Sequence, residues 1–508
     1  MKIRIVFASI LALACFAACQ AAPTPRHVSP ATMDKNTQEL FKSSMDLNDQ
    51  AFDASAKLLR NPLSRRTGTM GPYHMVRESS WYALGLLTRD APGDRQRAAD
   101  LIDAVLKQQY LTPGVRWYGT FHRAPEEPDP VPDAVMWRNY DPNWRVFIGT
   151  TFAMILIEYP DRIPATLAQR MYTSIDHAIE GEIAEKRLVP SYTNIAVMYG
   201  FLWDFAAQHG NRADWRQMSH DWTESVYKLY SQYGTFYEYN SPTYCGVDLY
   251  GLALWRAYGS TERIRKAGSE MESGLWNDLA DHYQPDLRNI AGPYDRSYGM
   301  DMESYVSVVG VWMRSVLDAQ HAPLPAITPS TDHVPDVWFA SQIAILGAKI
   351  PAAALAKIHS FAGEHLVRKQ ISDQRVATTF VGNHVIFGGE ATSKTKDEGP
   401  ASQFHAATIQ WRTPSGEIGF AYITQAPMID ATADKNGLSI SATGTVRWHI
   451  HASGLTPEKL TATDWDLPGL HVSVKAGQKD FSIEKSPTGV DLVYSGITGV
   501  RLEIKPAQ

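Results

Sequence analysis

The chain has 508 residues, of which 44% are apolar, 20% charged and 11% aromatic, with 35 Gly and 30 Pro dispersed along it. That composition excludes disordered, collagen-like and coiled-coil classes, and at about 100–200 residues per domain it allows two to four domains with sizeable cores. With 48 basic against 54 acidic residues the net charge is -6, and no Lys/Arg run of the kind that tracks phosphates occurs, so no nucleic-acid partner is expected.

Residues 1–22 read as an export signal: Lys2 and Arg4 make a basic start, Ile5 to Phe16 an apolar core, and Ala17, Ala18, Ala21 and Ala22 offer small residues for cleavage. A periplasmic or secreted protein is expected. Lipidation at Cys19, which follows Ala17-Ala18, would be its only route to a membrane, since no later segment reaches about 18 unbroken apolar residues. In the body of the chain only Cys245 remains, so no internal disulfide is possible and the fold rests on packing.

From about residue 36 to 320 apolar residues recur at helical spacing. Small-residue-rich apolar helices are predicted to begin near Asn143, Thr193, Thr243 and Tyr298, so successive starts lie 50, 50 and 55 residues apart. Each of the first three precedes a more amphipathic partner: Pro164 to Lys186, Asn211 to Gln232, and Thr261 to Tyr283. An earlier pair, Met75 to Thr88 and Asp94 to Gln109, fits the same scheme. Helices apolar all round belong inside, and hairpins repeated at this period stack around a shared core. We therefore expect an (α/α) toroid of five or six hairpins over residues 34–370, rather than an open solenoid. The segments Asp34 to Arg60 and Val337 to Lys369 are assigned to it as further helices, and the proline-rich stretch His321 to Pro335 is the expected linker. From Val376 to the end, apolar residues alternate between Gly, Pro, Asn and Asp turns, which predicts an antiparallel β-sandwich over 376–508.

Chemistry is expected at the heads of the inner helices. The strings "GPYHMVRE" (Gly71 to Glu78), "RNYDPNWR" (Arg138 to Arg145), "PSYTN" (Pro190 to Asn194), "FYEYNSPTY" (Phe236 to Tyr244) and "GPYDRSYGMD" (Gly292 to Asp301) all carry Pro and Tyr. In a toroid these heads meet at one mouth, where helix dipoles favour anions. Capping preferences explain Pro142, Thr193 and Pro242. They do not explain the Arg and Tyr beside them, and the substrate-binding candidates are Arg77, Tyr140, Asn143, Trp144, Arg145, Tyr192 and Asn240. Arg77, Arg145 and Arg296 point to an acidic oligo- or polysaccharide. The 14 Trp and 23 Tyr, against 17 Phe, favour stacking on sugars; Trp117, Trp137, Trp144 and Trp203 are candidates for it.

An export signal, a helical toroid and a C-terminal β domain together resemble the toroid polysaccharide lyases, the chondroitin AC, hyaluronate, alginate and heparinase II/III-like enzymes. The likeness is of architecture and sparse positions. In those families an Asn heads one inner helix, a His and/or Tyr follows about one hairpin later, and an Arg a hairpin after that. By position Asn194 resembles the Asn, "EYNSPTY" with Tyr239 and Tyr244 falls where the His and Tyr would be, and Arg296, with Tyr298 near it, resembles the Arg. No His lies in that middle segment, and His74 and His220 sit in other hairpins, so the base is Tyr239, Tyr244 or a His from elsewhere. The resemblance implies β-elimination at a uronate, in which Asn and Arg neutralise the carboxylate while a Tyr beside an Arg moves the proton. No cofactor and no metal is expected.

Hydrolysis is the alternative reading. It needs two carboxyl groups about 5–5.5 Å or 6.5–9.5 Å apart. Asp141, Glu238, Asp295, Asp301 and Glu303 fall at the same mouth, with Glu238 and Asp295 the best pair. His449 and His451 alternate on a strand and offer half a metal site at most, and His384 and Glu390 could reach the toroid from the β domain. Phosphate loops, GxGxxG, HExxH and GxSxG are absent, which disfavours nucleotide enzymes, zincins and serine hydrolases.

Overall fold

The computed structural model describes residues 25–61, 65–66, 69–70, 73–328, 331–392, 403–425 and 429–506. The expected export signal at 1–22 and Cys19 lie outside the described residues. Among the described residues twelve α-helices occupy the first part: α1 (Lys35–Ala51), α2 (Val76–Arg89), α3 (Asp94–Leu106), α4 (Trp144–Glu158), α5 (Ala165–Glu185), α6 (Thr193–His209), α7 (Ala213–Tyr233), α8 (Tyr244–Tyr258), α9 (Glu262–His282), α10 (Val308–Arg314), α11 (Ala340–Leu346) and α12 (Ala352–His359). The longest apolar runs are the innermost, and every residue of α4 is buried. Helices α2, α4, α6, α8, α10 and α11 pack each against the next, and α11 returns to α2, closing a ring. Outside it, α3, α5, α7 and α9 each cover the inner helix that precedes them, α1 lies across α11 and α10, and α12 packs on α9. The ring is tight: a Cβ on Gly246 of α8 would stand 2.5 Å from the backbone of Val308 in α10.

Four expectations change. Of Asp34 to Arg60 only Lys35–Ala51 is helical; Leu58–Asn61 is a strand that pairs with Phe52–Asp53 and with Tyr73–Met75. The helix expected from Tyr298 begins at Val308, capped by the Ser307 hydroxyl, which accepts from the Gly310 amide at 3.1 Å. Gly292, Pro293 and Gly299 keep 291–307 irregular, and the unbroken apolar run starts only at Val308. Within Val337 to Lys369, Gly347 and Pro351 split the helix into α11 and α12. Beyond Gly363, His365–Gln370 is a strand paired with Val376–Val381, so the β region begins at His365. The described residues of the expected linker, 321–328 and 331–335, lie between α10 and α11, two neighbouring helices of the ring, so the stretch does not separate the helical and β regions.

Thirteen described strands form one antiparallel sheet that folds over itself. The fold centres on Val385–Ala391, which pairs with Ala407–Arg412, with Val376–Val381 and, at Ala391, with Asp430. The two halves face each other across a single core, where Trp448 and Trp465 meet at 5.6 Å and the Trp465 indole donates to the Tyr494 hydroxyl at 2.9 Å. Cys245 is free and buried. No helix among the described residues is long and apolar enough to cross a membrane.

Candidate active site

The heads of the inner helices open on one cleft of about 930 Å³. Its walls are Arg77 and Glu78 at the start of α2, Asn143, Trp144 and Phe147 at α4, Tyr192 and Asn194 at α6, Thr243 and Tyr244 at α8, and Asp336 and Phe339 ahead of α11, joined by Arg296 and Tyr298 from the irregular segment. One carboxylate organises the α6/α8 side. Glu238 Oε2 accepts from the backbone amide and the side-chain amide of Asn194 at 3.0 and 2.7 Å, while its Oε1 accepts from Arg296 Nη1 at 2.7 Å. Arg296 Nε donates to Gln403 Oε1 of the β domain at 3.0 Å, and the guanidinium lies over the Tyr244 ring at 3.6 Å. Nη2 of Arg296 and the second amide hydrogen of Asn194 are left without a partner among the described residues.

The hydroxyls of Tyr244 and Tyr298 are hydrogen-bonded, Tyr298 stacks on His333 at 4.2 Å, and His333 Nδ1 stands 3.8 Å from Asp336. Asn143 Nδ2 donates to the Tyr192 hydroxyl at 2.9 Å. Burial, reinforced by Tyr298, pushes the Tyr244 phenol well above its ordinary value although Arg296 opposes this. Tyr244 is therefore neutral near pH 7. Burial works against the charge of Arg296, but the face of the Tyr244 ring beneath it and the Glu238 carboxylate hold the guanidinium protonated. One turn below Tyr244, Asp248 is fully buried, both its oxygens without a hydrogen-bond partner among the described residues; burial and then Glu238 raise its carboxyl well above the usual range.

Of the expected residues, Asn194, Tyr244, Arg296, Tyr298, Arg77, Asn143, Trp144 and Tyr192 line this cleft, and six others do not. Glu238 stands behind the wall it organises. Arg375, entirely buried, holds Asp295 through two hydrogen bonds of 2.5 and 2.6 Å, which removes the second carboxylate of the expected hydrolytic pair. Tyr239 is buried, its hydroxyl 2.7 Å from His282 Nε2. Asn240 Nδ2 is spent on the carbonyls of Ala291 and Pro293 at 2.8 Å each. Arg145 is sealed between Glu182 and Glu185, and Tyr140 points to the same Glu185.

The weaker candidates also settle. Asp301 caps Glu303 N, and Glu303 pairs with Arg288. Glu390 pairs with Arg375, so Gln403 rather than His384 or Glu390 is the β-domain group in the cleft. His449 hydrogen-bonds Asp491 at 2.8 Å, and among the described residues no group of three or more His, Cys, Asp or Glu could hold a metal. Trp203 is buried and Trp117 packs on Tyr140, whereas Trp137 is 57% exposed on the cleft rim. Sequence reasoning missed His333, Asp332 and Asp336. The available signal was Pro335 beside Asp336 just before an apolar run, the pattern that marks the other helix heads.

Two sequence families account for most of the chain. The one described as "Domain of unknown function (DUF8769)" matches residues 38–348, and "Domain of unknown function (DUF8770)" matches 359–500. The chain belongs to the DUF8769 family. The DUF8769 match covers the helical ring from α1 to α11, and the DUF8770 match most of the folded sheet. No curated protein matches the chain.

Among solved structures, heparinase III is similar over 96% of this chain and 87% of its own, at 9% identity and a TM-score of 0.45. The Streptomyces coelicolor A3 chondroitin AC lyase, in complex with chondroitin sulphate, is similar over 93% and 79% at 9% identity and a TM-score of 0.46. The Clostridium thermocellum endoglucanase CelQ, complexed with cellotetraose, is similar over 93% of both chains at 10% identity, with a TM-score of 0.29.

Proposed function

We propose that this DUF8769 protein cleaves a uronate-containing glycan by β-elimination. The observation that carries the reading is the Asn194–Glu238–Arg296 group: one anchored carboxylate holds an amide and a guanidinium side by side, each with a donor left over at the cleft. Two such donors are what a uronate carboxylate needs as its α-proton leaves and negative charge builds on its oxygens. In this reading His333, which lines the cleft with its Nδ1 3.8 Å from Asp336, takes the C5 proton. The C5–H electrons form the C4=C5 bond, the C4–O bond breaks, and the departing oxygen takes a proton from the neutral Tyr244 phenol. After the product leaves, the imidazolium of His333 releases its proton to solvent and the Tyr244 phenolate regains one, while Tyr298 holds the Tyr244 hydroxyl in place by their hydrogen bond. Trp137 at the rim supports an adjoining sugar by stacking. The basic-then-apolar start from Lys2 to Phe16 supports export.

Hydrolysis has its own support, because Asp141, Asp332 and Asp336 line the cleft although Glu238 and Asp295 do not. Product chemistry separates the two. Elimination leaves an unsaturated uronate that absorbs in the ultraviolet, and N194A and Y244F should slow the appearance of that signal by about 10²-fold or more. Saturated products, lost in D141N or D336N and kept in N194A, would establish hydrolysis instead.

A further inference from the structure

Arg375 lies in the β domain, immediately before the strand Val376–Val381, yet its guanidinium reaches the two toroid segments that carry Glu238 and Arg296. Nη2 donates to both oxygens of Asp295 at 2.5 and 2.6 Å, Nη1 donates to the Tyr237 carbonyl at 3.0 Å, and Nε donates to Glu390 at 2.8 Å. Asp295 in turn accepts from the Tyr239 amide at 2.9 Å, and its own amide donates to the Tyr239 carbonyl at 3.1 Å. The residues on both sides of Glu238, and the residue before Arg296, are thus tied to one planar cation. Glu238 and Arg296 are themselves in contact at 2.7 Å and fix Asn194.

We infer that Arg375 is a positioning residue for the cleft: through Asp295 and the Tyr237 carbonyl it sets the register between the 237–240 and 292–297 segments, so that Glu238 presents Asn194 and Arg296 together. The β domain is then a working part of the site. Three features favour this over a merely cohesive ion pair. Arg375 is wholly buried, and a buried pair costs more in desolvation than it returns unless geometry is the gain. Its fork is matched to one carboxylate and one carbonyl on different segments, a pattern that an ammonium cannot reproduce. Its toroid partners also cluster around the two site residues rather than spreading over the domain contact. The inference rests on the proposed reading of the cleft for its catalytic consequence, though not for its structural one.

The test uses the full chain and R375K, which keeps the charge and loses the fork, beside E238Q. In hydrogen exchange, R375K is expected to lose protection in peptides covering 236–241 and 291–298 while the rest of both domains keeps theirs. On a uronan, kcat is expected to fall about tenfold or more with KM little changed, because the lost alignment matters most as charge develops. In the R375K/E238Q double variant the losses should not add, since both act through the same alignment. Unaltered exchange in those two peptides, or losses that multiply in the double variant, would overturn the inference. If the wild type yields no unsaturated product, the β-elimination reading fails, and the exchange pattern still decides whether Arg375 positions these segments.

Discussion

Arg145 and Arg296 look alike in sequence, each beside a Tyr-Pro head of an inner helix, and the molecule uses them oppositely. At the head of α4, Arg145 is saturated: Nη1 meets Glu182 and Glu185 at 3.3 and 2.7 Å, Nε donates to the Tyr118 carbonyl at 3.0 Å, and Nη2 donates to the carbonyls of Arg116 and Tyr118 at 2.7 and 2.8 Å. Arg296 spends Nη1 on Glu238 and Nε on Gln403 and keeps Nη2. A guanidinium can recognise a ligand only with donors that its own fold has not consumed. The loop 116–118 and helix α5 close over the first arginine, whereas the second stands where five helix heads leave a gap.

The sharpest way to break this contrast is R145M. It takes from the buried Glu185 its nearest cation and leaves Arg187 to hold Glu182 and Glu185, at 2.6 and 3.7 Å, so it should cost about 3 kcal/mol of stability, the low end for a broken buried pair. Activity per folded molecule should be retained, which denaturant melts and titration of folded protein will measure together. An R145M protein that melts normally and has lost activity would place Arg145 back in substrate binding. R296K and N194A are expected to invert the pattern, with losses of about 10²- to 10³-fold in kcat/KM, the scale of removing one preorganised donor, and little change in melting.

How far the sequence carried these distinctions follows from the physics of each element. The ring was legible because fully buried helices are long apolar runs, and the repeat of 50 residues between Asn143, Thr193 and Thr243 places their heads together. Helices α10 and α11 have seven residues each, too short for a 3.6-residue period to declare itself, so the pattern alone puts a helix start at Tyr298 and a linker at His321 to Pro335. That second reading hid His333, which lines the cleft. Partner counts were not legible at all: nothing near Asp295 announces Arg375, which arrives from another domain 80 residues on.

Acid provides a smaller and separable test of where the two domains meet. Burial pushes His405 down to about 4, and its backbone exchanges hydrogen bonds with Tyr294. Since its unfolded value is about 6.5, the unfolded chain binds the extra proton first as pH falls. The contribution of His405 to stability is therefore complete above about pH 6.5 and drains away between 6.5 and 4, by about 2–3 kcal/mol. H405Q should flatten that part of the stability curve. A curve for H405Q parallel to the wild type through pH 4–6.5 would show that other groups set the acid limit.

The smallest expected effect concerns Trp137, which extends the comparison of spent and unspent groups to the rim. Its backbone sits at φ +61°, a left-handed conformation that costs a non-glycine residue about 1–2 kcal/mol. It is kept there by hydrogen bonds: its amide donates to the Tyr140 carbonyl at 2.7 Å, and the buried Arg123 donates to its carbonyl at 3.2 Å and to that of Arg138 at 2.9 Å. All this scaffolding presents an indole that packs on little and lies largely in solvent. Strain maintained for an exposed ring points to use of the ring. W137G removes the strain and the indole together, so its melting temperature should hold or rise while KM for a polymeric substrate increases about two- to tenfold, the value of one aromatic contact. W137F should fall between the two in KM. A W137G protein that melts lower and binds as before would assign the indole to folding, and the rim of the cleft would then have no sugar platform.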